Sequence, residues 1–203
     1  MKKLIIAVFI SFMLTIAAQA YSGSVQTDLR NNLVRLHIIA NSDSDYDQSV
    51  KLRVRDAVLK YESERLLDAE NIANSLFDIE KTASAVLSEC GAEYGARAEY
   101  GKFYFPKKEY KNMILPQGEY YGVRVVLGTG AGKNWWCVMY PPLCMINDTE
   151  AELSEQSKKL LAEKLGAEAY DVITEKNGEI KVKFRIVEAA QCIKEKFLKS
   201  ASK

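Results

Sequence analysis

Leu33-Val34-Arg35-Leu36-His37-Ile38-Ile39-Ala40 is the stretch on which the fold turns. Val34, Leu36, Ile38 and Ala40 share one face and Arg35, His37 and Ile39 the other, a period of two that reads as a β-strand with one firmly buried side. Directly after it, Ser44 and Asp47 supply the S-x-x-D pattern of a helix start, and Val50, Val54, Ala57, Val58 and Tyr61 recur at helical spacing. Asp47 with Lys51 and Asp56 with Lys60 are expected as i,i+4 pairs on the outer side of that helix. A second helix is marked by Ile72, Leu76, Ile79, Ala83, Val86 and Cys90 and closed by Gly91. The first third therefore reads strand, helix, helix, and the pattern leaves open whether this strand joins the sheet that follows.

Further along, the period changes. Residues 97–105, 120–127 and 135–140 are β-rich and separated by Pro106, Pro116-Gln117-Gly118 and Gly128-Thr129-Gly130-Ala131-Gly132. An antiparallel meander with a flexible hairpin loop at the glycines is the economical expectation. Leu153, Ser157, Leu160, Leu161 and Leu165 predict a helix ending at Gly166. Asn177-Gly178 predicts a hairpin, followed by a strand alternating through Ile180, Val182, Phe184 and Ile186. A last helix carries Ala190, Ile193 and Phe197. The expected fold is mixed α+β, a single domain with an antiparallel or mixed sheet and about four helices.

Lys2-Lys3, an apolar run over residues 4–18 and Ala18-Gln19-Ala20 have the layout of a secretory signal, with cleavage expected after Ala20. The apolar run is shorter than the roughly 20 residues that span a bilayer, so an uncleaved anchor is the secondary reading. Residues 21–203 are then one domain, expected not to span a membrane. The leader removes two of the chain's 28 basic residues and none of its 27 acidic ones, leaving a net charge of about −1. That balance argues against nucleic acid as a partner.

The densest motif is Asn134-Trp135-Trp136-Cys137-Val138-Met139-Tyr140-Pro141-Pro142-Leu143-Cys144, which holds both tryptophans and two of the four cysteines. On a strand the tryptophans point to opposite faces, so one of them is a candidate contact residue unless both faces are covered. Pro141 and Pro142 stop the strand and bend the chain, which makes a Cys137–Cys144 disulfide feasible in an oxidising compartment. Cys90 reads as a buried thiol, and a Cys90–Cys192 pairing is not indicated.

Other patterns resolve into plain roles. The glycine run 128–132 lacks phosphate-loop spacing, and Asn134 stands where Ser or Thr is needed after Lys133. Asn41-Ser42-Asp43-Ser44-Asp45 opens like a calcium loop, but Tyr46 occupies the glycine position and Leu52 replaces the bidentate glutamate. It reads instead as a polar turn capping a helix, with Asn41 and Asp43 as candidate contacts. His37 is the sole histidine. Beside Arg35 it is a hydrogen-bonded structural residue or part of a surface. No cofactor and no metal are expected, because neither paired histidines nor a C-x-x-C occurs.

The Asn134–Cys144 run, Leu36-His37-Ile38-Ile39-Ala40-Asn41-Ser42-Asp43-Ser44 and Lys51-Leu52-Arg53-Val54-Arg55-Asp56 together resemble the stage II sporulation protein R family of endospore-forming bacteria. The resemblance covers about residues 30 to 200. The family pattern has Phe and Val after the second cysteine and then an acidic residue, where this chain reads Met145-Ile146-Asn147-Asp148. The resemblance implies a non-enzymatic signalling protein, secreted from the forespore into the space between forespore and mother cell. Its implied partner is a membrane-embedded aspartic protease that processes the sigma-E precursor. Within that reading the partner-binding candidates are Asn134, Trp135, Trp136, Tyr140, Pro141, Pro142, Arg35, His37, Asn41 and Asp43. The alternatives are a secreted thiol hydrolase using His37 with Cys137 or Cys144, and a structural envelope protein.

Overall fold

The computed structural model describes residues 2–65, 69–110, 113–143 and 155–174. The hairpin at Asn177-Gly178, the strand and helix after it, Cys144 and Cys192 lie outside the described residues. Helix α1 (Lys2–Asn32) leads into strand β1 (Val34–Ile39), then α2 (Asp45–Arg65), α3 (Ala69–Asn74) and α4 (Leu76–Cys90). Strands β2 (Ala96–Phe105), β3 (Lys108–Tyr110), β4 (Met113–Leu115), β5 (Gly118–Leu127) and β6 (Asn134–Tyr140) follow, then α5 (Glu155–Lys164) and α6 (Ala167–Ile173). The class is the expected α+β, and the described residues hold six helices rather than about four. Ser75 divides the second predicted helix into α3 and α4.

The meander is corrected by the sheet order, β2-β5-β1-β6. Strand β1 does join the sheet and enters it between β5 and β6, parallel to β5 and antiparallel to β6. Proximity in sequence suggested a β5–β6 hairpin; burial decided otherwise, because the most apolar strand takes a central place. Helices α2 and α4 cover one face, where Leu36, Ile38, Val54, Ile79, Val123 and Val125 form a fully buried core. On the other face, Val25 and Leu29 of α1 pack with Phe105, Tyr120, Val138, Leu161 and Val172. β1 is thus buried on both sides, and the expectation of one buried face is corrected. Arg35 is fully buried and His37 is 7% exposed, so of the two readings of His37 the structural residue holds, and neither side chain forms the surface as a direct partner contact.

Ser44 Oγ accepts a hydrogen bond from Asp47 N at 3.2 Å, the expected cap at the start of α2. Gly91 ends α4 at φ +74°. Its N–H donates to Ser88 O, and Ala92 N donates to Leu87 O. The outer-face pairing of Asp47 with Lys51 does not form, since both side chains are buried and reach other partners. α1 is one unbroken helix whose apolar first part is exposed, while Ser22, Val25, Gln26 and Leu29 dock on the core. It is long and apolar enough to cross a membrane, and it is equally compatible with an export signal.

Because β1 separates β5 from β6, the connection over residues 128–133 must cross the end of β1. It is no flexible hairpin loop. Gly132 N donates to Ala40 O at 2.9 Å and Ala131 N to Asn41 O at 3.2 Å. A Cβ on Gly132 would lie 2.2 Å from the Ser42 carbonyl oxygen, so only glycine permits this approach. Gly132→Ala is expected to destabilise the fold by about 2 kcal/mol or more. A Cβ on Gly95 would meet nothing within 4 Å, and Gly95→Ala should change stability by less than about 0.5 kcal/mol. Urea unfolding of the two variants checks the pair.

Candidate functional site

Three stretches that the sequence singled out meet at one end of the sheet: the turn after β1, the first two turns of α2, and the crossing loop with the start of β6. Asn41 is their lock. Its Oδ1 accepts from Thr129 N at 3.0 Å, its carbonyl accepts from Thr129 Oγ1 at 2.9 Å, and its Nδ2 donates to Asp47 Oδ2 at 3.0 Å. Lys133 N donates to Asp43 Oδ1 at 2.7 Å. From α2, buried Lys51 sends its ammonium to Lys133 O at 3.1 Å and Gln48 Oε1 at 2.7 Å. Asp47 also receives the hydroxyls of Ser42 and Tyr94. These bonds, that of Ser42 foremost, hold its carboxyl below the usual range, so it stays ionised and keeps the turn folded. Asn41 and Asp43 thus act first on this chain's own loop; Asp43, Lys133 and Asn134 remain exposed at the rim.

Behind that rim the register aligns Glu99, Arg124, His37 and Trp136 in one row across all four strands. The Trp136 ring stacks on His37 with centroids 3.5 Å apart and planes 22° from parallel. Phe105 meets both rings edge-on. His37 Nε2 lies 2.8 Å from Asn134 Oδ1, which makes this nitrogen the donor. Burial pushes the imidazole down to about 4; the Arg124 and Arg35 charges push the same way, against the Asn134 hydrogen bond. His37 is therefore neutral near pH 7 and works as a platform for Trp136. Arg124 joins Glu99 through Nη2 at 2.9 Å and lies over the Phe103 ring at 4.4 Å.

Trp135 points to the opposite face, packs on the α2–α4 core and carries the Arg55 guanidinium 5.2 Å from its ring. Both tryptophans are half-buried, because both sheet faces are covered. The choice between one inward and one outward tryptophan therefore does not arise. Tyr140 is half-buried, Pro141 buried and Pro142 exposed. The Tyr140–Pro141 peptide is cis, and Leu143 N donates to Val138 O at 3.2 Å to close the bend.

Arg124, Glu99 and Phe105 were missed by sequence reading, since only the strand register brings them to His37. Lys51, expected on the outer side of α2 as a partner of Asp47, is instead buried against the crossing loop. Of the hydrolase alternative, the pairing of His37 with Cys137 fails on geometry, while Cys144 lies outside the described residues. Cys137 pairs in register with Leu36, on the opposite face from His37, and it is disulfide-bonded. Cys90 is a free thiol, which excludes its pairing with Cys192. Among the described residues no group of three or more His, Cys, Asp or Glu side chains can hold a metal ion.

The comparisons with known proteins agree with one another. A family model described as Stage II sporulation protein R matches residues 30–151. A protein of Bacillus subtilis (strain 168) named Stage II sporulation protein R is 32% identical over 156 residues, covering 73% of this chain and 70% of that one. No solved structure matches.

Two expectations follow from this geometry. Trp136→Ala should cost about 2 kcal/mol, less than a fully buried Trp, and should move the His37 titration from about 4 toward the ordinary value near 6.5. Between those values the folded chain binds fewer protons than the unfolded chain, so stability is lost as pH falls through this window. The loss should be smaller in the variant. Trp135→Ala, on the other face, should leave the titration unchanged, and NMR of the single histidine separates the two. Second, non-reducing peptide mass spectrometry of exported protein should find Cys137 joined to Cys144 and Cys90 free. Loss of that short loop should destabilise by about 2.5 kcal/mol.

Proposed function

The chain belongs to the stage II sporulation protein R family, and from that premise we propose that it is a secreted sporulation signal that acts by binding. In this reading the leader is cleaved after Ala20 and the remaining domain passes from the forespore into the intermembrane space. There it activates the membrane-embedded aspartic protease that processes the sigma-E precursor. The observation that carries the binding mechanism is the preorganised rim. Asp43, Lys133 and Asn134 are exposed on a loop pinned by Asn41 and Lys51 and backed by the half-buried tryptophans.

A rim fixed before contact loses little conformational entropy on binding. Activation follows if it engages the active state of the protease more tightly than the inactive one. Trp135 and Trp136 then serve as anchors at the edge of the contact, with charged residues around them. Arg35 and His37 support that surface from the interior rather than forming it.

The test is co-expression of this chain with the protease and its sigma-factor substrate. Replacing residues 4–18 with a polar run should abolish precursor processing while the protein remains present. Lys133→Glu should lower processing at least tenfold, with the melting temperature moved by less than about 2 °C. Full processing by a strictly cytoplasmic form, or by the rim variant at matched secreted levels, would refute the reading.

A further inference from the structure

Among the described residues, Arg35 is a cation without a counter-charge. Its guanidinium is fully buried, 4.5 Å from the Phe105 ring centroid and 5.2 Å from that of Tyr120. Nη1 donates to Pro106 O at 3.3 Å and Nε to Cys137 O at 3.4 Å. Nη2 has no acceptor. Tyr110, also buried, leaves its hydroxyl without a hydrogen-bond partner. Lys108 stands near enough to feel the Arg35 charge; burial first, then that charge, lower its pKa. Among the described residues no carboxylate pairs with Arg35 or Lys108.

Two buried donors thus lack an acceptor where two cations lack an anion. Burial of an unpaired charge costs several kcal/mol, and each orphaned donor adds to that. Aromatic faces offset part of the charge but leave the N–H and O–H unanswered. We propose that Arg35 Nη2 and the Tyr110 hydroxyl bind a small monovalent anion, either a halide or a free carboxylate, with Lys108 adding attraction from the solvent side. The burial of Arg35 selects a ligand of few atoms. A peptide side chain of a partner or a phosphate ester is too large to reach it without unpacking β3.

Exported protein is melted in chloride, acetate or gluconate at constant ionic strength; gluconate is the oversized control. The expected result is a saturable rise in melting temperature of about 3–5 °C at ten times the dissociation constant in chloride, acetate or both. Which of the two acts identifies the source. Arg35→Met should abolish the response. Since that variant risks misfolding, Tyr110→Phe is the decisive one. It keeps the ring, should be at least as stable as the parent in gluconate, and should weaken anion affinity at least threefold. Equal melting temperatures in all three salts would overturn the proposal, as water would then serve both donors. So would a response that Tyr110→Phe leaves unchanged, which would locate the anion elsewhere.

Discussion

Everything in this molecule depends on β1 lying between two strands that are consecutive among the strands of its sheet. β5 and β6 are separated by only a short loop, yet β1 pairs with both of them. That arrangement satisfies the backbone of β1 on each edge and buries its side chains on each face. It also forces the β5–β6 loop over the end of β1, where loop and turn can only pass by close backbone contact. The glycines answer that steric demand, and Asn41 answers the polar one.

The same constraint explains why the motif-rich segments gather. The turn that ends β1, the helix that begins after it and the loop that bridges it have no freedom to lie apart. Their hydrogen bonds run largely between side chains of one segment and backbone of another. Such bonds fix loop geometry without consuming the exposed side chains of the rim. Rigidity at the rim is therefore a property of the chain crossing and not of a separate scaffold.

Local patterns carried the elements well: the strand within residues 33–40, though not its single buried face, the Ser44 cap and the Gly91 stop are in the structure where the sequence put them. Tertiary order was not legible. Nothing in residues 118–140 tells that a strand from far upstream will intrude, so a hairpin was expected where a crossing occurs. The same gap hid the site. Burial of Arg35 and His37 follows from helices and strands stacking over a face that looks half-polar in isolation. Trp135 and Trp136 alternate as expected, but whether each face is covered is a question of layers that a single strand cannot answer. Cys90 and Cys137 differ in bonding although both lie in apolar surroundings, because partner geometry and not composition decides a bridge.

If the chain is exported as proposed, the unbroken run of α1 constrains the order of events. The bond after Ala20 stands just ahead of Ser22, which is already sealed in the core, and the helix gives no slack between them. Processing enzymes take extended chain, so a leader removed at that bond has to leave while Tyr21, Val25 and Leu29 are still undocked. Maturation and folding then compete for one short segment of helix. In the proposed export, the winner decides whether the domain drifts free or stays leashed to the membrane.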